Sequence, residues 1–208
     1  LAITSSLPGE GKSTTTANLA VIFARSGRRV ILVDADLRRP TLHTFFRRSN
    51  ERGLTSALLQ QAADPVESYL VETGVQNLLL LPSGPLPPNP AELLGSHRMA
   101  ELVAALKGHA DLVIFDSPPV LAVADTLVLT QVCDALLLVV LAGSTRTEAL
   151  RKSHAALQQA GARLLGAVLN RAPGSGVSHY QAYFAGEPNH RHGLKRWSPR
   201  LGTLLRSN

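Results

Sequence analysis

The sequence predicts an α/β fold, a three-layer sandwich in which a mostly parallel sheet carries helices on both faces. Short, continuous apolar runs recur along its 208 residues, as strands buried on both faces require. Longer segments with helical spacing separate them, and alternation of the two is the pattern of parallel β-α-β units. Helix boundaries carry the expected punctuation: Asn89-Pro90-Ala91-Glu92 reads as an N-cap with Pro at the first helical position, and Gly27 and Gly161 fall where helices should stop.

In chain order the expected strands are 1–5, 29–34, 77–82, 112–116, 135–142 and 163–170. The expected helices are 12–26, 54–61, 90–106, 122–132 and 146–160. The Pro-rich stretch 82–90 lies between a strand and a helix and reads as a loop within one domain. Periodicity fades near Ala172, so residues 1–172 read as one domain and 173–208 as a basic tail.

Composition removes several classes of function. The chain is 45% hydrophobic and 17% charged, which excludes disorder over most of its length. One cysteine, Cys133, excludes a disulfide framework and a Cys-based zinc cluster. The longest apolar run, 135–142, is far short of the roughly 20 residues a membrane helix needs. The net charge is +6, but Arg191, Lys195, Arg196, Arg200 and Arg206 supply five of those charges beyond the last acidic residue, Glu187. The charge belongs to the tail, and aromatic residues are 4% of the chain, so no specific nucleic-acid partner is expected. His179, His190 and His192 lack carboxylate or thiolate companions and read as solvated. Trp197, among basic residues, hints at an anionic membrane surface.

Three motifs carry the chemistry. Ser6-Leu7-Pro8-Gly9-Glu10-Gly11-Lys12-Ser13-Thr14 follows a strand and opens a helix. It matches a phosphate-binding P-loop with Ser6 in place of the first glycine. Backbone N–H groups there would cradle phosphates, with Lys12 on the β/γ-phosphates of a nucleotide and the Ser13 hydroxyl on Mg²⁺. The nucleotide-binding set is therefore Pro8, Gly9, Glu10, Gly11, Lys12, Ser13 and Thr14. Leu112–Asp116 is an apolar strand ending in a carboxylate, the form that places Asp116 on Mg²⁺ opposite Ser13. Asp111, at the other end of that strand, reads as a solvated strand end. Val33-Asp34-Ala35-Asp36-Leu37-Arg38-Arg39-Pro40 delivers two carboxylates and two arginines to the carboxyl end of a buried strand, where α/β sheets bind ligands. One carboxylate could orient metal-bound water and the other take a proton from an attacking hydroxyl. Arg38 could hold phosphate or a carboxylate from a neighbouring subunit.

These motifs resemble the three Walker elements of the bacterial tyrosine kinases, the autokinases that regulate capsule and exopolysaccharide polymerisation and export. The resemblance rests on 5–14 with Asn18-Leu19-Ala20, on 33–40, and on Phe115-Asp116-Ser117-Pro118-Pro119-Val120. It extends through 84–94 and 166–171 and implies a P-loop NTPase. It makes Lys12, Asp34, Asp36 and Arg38 the catalytic set, Ser13 and Asp116 the metal holders, and puts Asn170 and Arg171 beside the adenine. It further implies ATP and Mg²⁺, a ring-like homo-oligomer, and a membrane chain-length-determinant region upstream or on a separate activator. The location implied is the cytoplasmic face of the inner membrane, with the present stretch itself soluble. Opening at Leu1 inside a strand, the chain is expected to continue upstream. Tyr180 and Tyr183 are the candidate phosphoacceptors, a thinner set than the family's usual tyrosine cluster; Tyr69 falls within the body.

Rival readings remain. A partitioning-type ATPase would carry a second lysine where Leu7 stands. A GTPase would want Asn-Lys-x-Asp where Asn170-Arg171-Ala172-Pro173 stands. A nucleotide-sensing module of the polysaccharide machinery, transferring no phosphate, is the alternative from a different class.

Overall fold

The computed structural model describes residues 1–59 and 64–172. Seven strands form one sheet: β1 (Ala2–Ser5), β2 (Val30–Asp34), β3 (Val71–Glu72), β4 (Leu78–Leu81), β5 (Leu112–Asp116), β6 (Leu136–Leu141) and β7 (Leu164–Asn170). Their order is β3-β4-β2-β5-β1-β6-β7. Every pairing is parallel except that of β3 with β4, so the mostly parallel sheet follows the expectation.

Continuous apolar strands are explained by cover on both faces. β2 sends Ile31 and Val33 into one core and Val30 and Leu32 into the other. The first core is roofed by α3 (Leu54–Leu59), α5 (His97–His109), α6 (Asp125–Leu129) and α7 (Thr147–Gln159), through Leu58, Met99, Val103, Leu129 and Leu157. The second is roofed by α1 (Lys12–Arg25) and by the single turn α2 (Leu42–Phe45). Ala17, Ala20 and Ala24 make the inner face of α1, and their small side chains let the helix lie close on the sheet.

The register of the central strands positions the site. In the β2–β5 pair Val30 stands beside Leu112 and Asp34 beside Asp116. Two strands of equal length in step thus end in adjacent carboxylates at the same edge of the sheet. From β1 the chain leaves through α1 over one face, and from β6 through α7 over the other. The crevice between these diverging connections is the usual ligand position in such sheets.

Several boundaries differ from the sequence reading. The expected helix 90–106 is two helices, α4 (Pro90–Leu94) and α5, broken at Gly95-Ser96. Ser96 caps α5 by accepting from the Met99 N–H at 3.3 Å. A Cβ on Gly95 would sit 2.9 Å from Val128 Cγ1, so glycine lets α4 and α6 meet. Asn89 makes no side-chain cap; its amide donates to Glu92 Oε2 at 3.0 Å instead. The helix expected over 122–132 shortens to α6. Strand β3, α2 and a one-turn 3₁₀ helix at Val66–Tyr69 are additional, and all are too short to leave a periodic signal.

Candidate active site

The loop from Ser6 to Gly11 joins β1 to α1. Gly11 is the N-cap of α1 in the left-handed region, φ 90°, and Gly9 shares that conformation at φ 83°. L-residues with side chains pay about 1 kcal/mol or more to sit there, which explains both glycines. At Gly11 a second constraint acts: a Cβ would lie 2.1 Å from the Asn170 amide nitrogen. That amide donates to the Glu10 carbonyl at 2.9 Å, tying the end of β7 to the loop.

Glu10 is buried and fastens the loop twice. One carboxylate oxygen accepts from the Leu7 N–H at 2.9 Å, and the other accepts from the Thr145 hydroxyl in the loop after β6. Ser6, at the position of the missing first glycine, accepts from the Ser153 hydroxyl of α7 at 2.8 Å, with both residues fully buried.

Lys12 points across the crevice. Its Nζ lies 2.8 Å from Asp36 Oδ2, 3.6 Å from Asp116 Oδ1 and 3.1 Å from Ser13 Oγ. Burial alone would lower its pKa; the carboxylates of Asp116 and Asp36 outweigh that and raise it. Asp116 is fully buried, and burial lifts it to about 6 against the pull of Lys12 and a hydrogen bond from Ser13. Ser13 and Asp116, drawn from motifs about a hundred residues apart, are thus in direct contact. Thr16, one turn into α1, also reaches Asp116, at 3.4 Å.

The paired carboxylates separate into two environments. Asp36 faces the crevice and is fixed by the Arg39 N–H, which donates to Oδ1 at 3.0 Å. Asp34 lies beneath the crevice floor with no exposure. Its Oδ2 accepts from the Thr41 and Leu42 N–H groups at 3.0 and 2.9 Å, and so starts α2. Burial, reinforced by Asp116, pushes Asp34 up to about 8. Arg38 meets a carboxylate of its own chain: its guanidinium binds Asp125 in a two-pronged contact at 2.8 and 3.0 Å. Asp125 is fully buried at the start of α6.

Lys12, Ser13, Asp36 and Arg38 line a cleft of about 560 Å³, walled by Pro8, Gly9, Gly11, Lys12, Ser13 and Thr14 on one bank, with Asp116 buried behind Lys12. Arg171 reaches the cleft, whereas Asn170 acts on the loop behind it. Tyr180, Tyr183 and the tail histidines lie outside the described residues, as does the whole of the expected tail, 173–208. Among the described residues no cluster of His, Cys, Asp and Glu forms a separate metal centre. Cys133 is half-buried, and Asp111 is an exposed partner of Arg29, as a strand-end residue should be.

The donor set fits Mg²⁺. Asp116 Oδ2 and Asp34 Oδ1 are buried acceptors with no hydrogen-bond donor among the described residues, and such atoms call for a cation or water. Asp116 and Ser13 offer hard oxygen ligands side by side.

Residues 1–162 match the family model described as an AAA domain. The chain is 49% identical over 181 residues to the tyrosine-protein kinase YwqD of Bacillus subtilis (strain 168), covering 87% of this chain and 76% of that protein. It belongs to the bacterial tyrosine kinases. The putative tyrosine-protein kinase CapB of Staphylococcus aureus is 35% identical, over 88% of this chain and 80% of its own length. Among solved structures the chimerical protein CapA2B2 matches with a TM-score of 0.79 at 39% identity, over 83% of this chain and 75% of that one. The septum site-determining protein MinD from Pyrococcus horikoshii OT3, complexed with Mg-ADP, matches with a TM-score of 0.67 at 25% identity, over 87% of this chain and 75% of that one. The kinase family thus shares the fold of P-loop ATPases, and nucleotide with magnesium is the ligand class its neighbours take.

In this member of the family several site residues leave no mark in the sequence. Asp125, Thr145 and Ser153 act through contacts spanning 87, 135 and 147 positions, and no local pattern marks them. Thr16 alone had a signal, standing one helical turn after Lys12.

Proposed function

We propose that the chain is an ATP-dependent protein-tyrosine kinase, acting in the control of capsular or exopolysaccharide polymerisation and export. The observation that carries this reading is the meeting of Lys12, Ser13, Asp36 and Asp116 at one point of the cleft. ATP is the substrate. Amides of 9–14 and the N-terminus of α1 face its phosphates. Lys12 exchanges Asp36 for the β/γ-phosphates, and that exchange leaves Asp36 free as a base. The tyrosine oxygen then bonds to the γ-phosphorus while the bond to the β–γ bridging oxygen breaks. Asp36 takes the phenolic proton, and ADP leaves. Mg²⁺, held by Ser13 and Asp116, would neutralise charge on the β- and γ-oxygens. Asp34 supports this arrangement from below by holding Thr41 and Leu42.

Tyr180 and Tyr183 are the proposed acceptors, offered to a neighbouring copy in a ring-like assembly. No helix among the described residues is long and apolar enough to cross a membrane. From the family resemblance we assign membrane contact to an upstream region or a separate activator. The test is incubation with ATP and Mg²⁺ followed by phosphosite mapping, with Lys12→Met as control. Wild type is expected to incorporate phosphate on tyrosine, and Lys12→Met to lose at least about 10²-fold of the rate. Hydrolysis of ATP with no phosphotyrosine on this chain or an added tyrosine peptide would instead support a nucleotide-sensing module.

A further inference from the structure

The cleft is divided by the strand order. β7 lies to one side of β1 and brings Arg171 to the P-loop bank, whereas β2 and β5 lie to the other side. Their loops contribute Arg38, Arg39, Thr41 and Phe45, and Pro118, Pro119, Ala122 and Val123. With phosphates on the P-loop and Asp36 between the banks, a phosphoacceptor must approach over this second bank.

Its surface has two characters. Phe45, Pro118, Pro119 and Val123 make an apolar wall fit for one aromatic ring. The wall is stiff: Pro118 and Pro119 have fixed φ, and the Pro118 carbonyl accepts from the Thr4 and Thr126 hydroxyls at 2.7 and 2.6 Å. At the rim the charge is one-sided. Arg38 and Arg39 line the cleft there, and the segment 37–50 that carries them contains no Asp or Glu. Arg38 is neutralised by Asp125. The Arg39 backbone is pinned to Asp36, while its exposed guanidinium has no acidic partner among the described residues.

We propose that the second bank selects a tyrosine flanked by acidic residues, with the ring against the Phe45–Pro118–Pro119 wall and the flanking carboxylate on Arg39. The inference rests on the kinase reading and names its substrate class. It also ranks substrates. Tyr180 and Tyr183 stand in Ser-His-Tyr-Gln-Ala-Tyr-Phe-Ala-Gly, with no acidic residue before Glu187. The chain's own tail is therefore the poorer match, and an acidic tyrosine segment of another protein the better one.

The experiment compares phosphorylation of two synthetic peptides with a central tyrosine, one flanked by Glu on both sides and one by Lys, in wild type and in Arg39→Glu. Wild type should favour the Glu peptide by about 10-fold in kcat/KM, from an exposed ion pair formed in one case and a like-charge contact in the other. The preference should shrink with added salt and vanish or invert in Arg39→Glu. Because the readout is a ratio within each enzyme, a general loss of activity in the variant does not mimic it. Equal use of both peptides by wild type, or a preference unchanged in Arg39→Glu, overturns the proposal and leaves the kinase reading standing. Transfer to neither peptide nor to the tail defeats the kinase reading and this proposal with it.

Discussion

The two banks of the cleft are built on opposite principles. On the P-loop bank the buried polar groups are matched: Glu10 with Leu7 and Thr145, Ser6 with Ser153, and the Glu10 carbonyl with Asn170. On the carboxylate bank they are left open: Asp34 Oδ1, Asp116 Oδ2 and Thr41 Oγ1 are buried with no partner among the described residues. The first bank holds its shape without a ligand. The second is finished by what binds it, because an unsatisfied buried acceptor costs about 1–3 kcal/mol that a cation can return.

The sharpest way to break this comparison is to change one carboxylate at a time on the open bank. Asp36→Asn is expected to cut phosphotransfer by about 10²-fold or more, as for a lost base, while ATP affinity holds or rises because the carboxylate competing for Lys12 is neutralised. Asp116→Asn should raise the Mg²⁺ concentration needed for half-maximal rate. Titrating Mg²⁺ at saturating ATP separates the two, and an identical metal-dependent defect in both would end the division of roles.

A smaller effect is expected on the matched bank. Thr145→Val leaves a Glu10 oxygen buried without a donor, at a cost of about 1–3 kcal/mol. Thermal melting should show it, together with a raised KM for ATP and a kcat nearer wild type. Thr145→Ser should recover most of the loss. A Thr145→Val protein with unchanged melting temperature and KM would show that this contact does not hold the loop.

A last check, which leaves the catalytic cycle untouched, concerns Cys133, which belongs to neither bank. Burial raises its thiol to about 11. The thiolate fraction in the folded protein at pH 8 is then about 10⁻³, against about one quarter in the unfolded chain. Alkylation by iodoacetamide at pH 8 should be slow in native protein and fast in denaturant. The native rate should keep climbing between pH 8 and 10, where the denatured rate levels off.

What the sequence made legible follows contact range. The P-loop, Asp36 and Asp116 are written in contiguous motifs, because a strand end and a helix start must carry them. Six of the seven strands were visible as apolar runs; β3, two residues long, has no run to show. The break at Gly95-Ser96 was readable in principle, since Ser96 has a cap signature, but the apolar spacing continues across it. Asp34 and Asp36 look equivalent as letters. Only the alternation of β2 and the turn after it put one under the floor and the other in the cleft. Asp125, Thr145 and Ser153 owe their roles to neighbours brought in by the sheet, and a list of residues does not contain that information.

The Lys12–Asp36 pair also sets an entrance condition. Any anion arriving at the P-loop competes with a carboxylate already seated on the only lysine there. A monophosphate takes that lysine and gives Asp36 and Asp116 nothing in exchange, so two negative charges are left facing each other in a half-dry pocket. A polyphosphate arriving with its own divalent ion restores a cation to the carboxylates as it removes one. Asp36, the proposed base, therefore guards the P-loop, and the cell's abundant small phosphates gain little by entering.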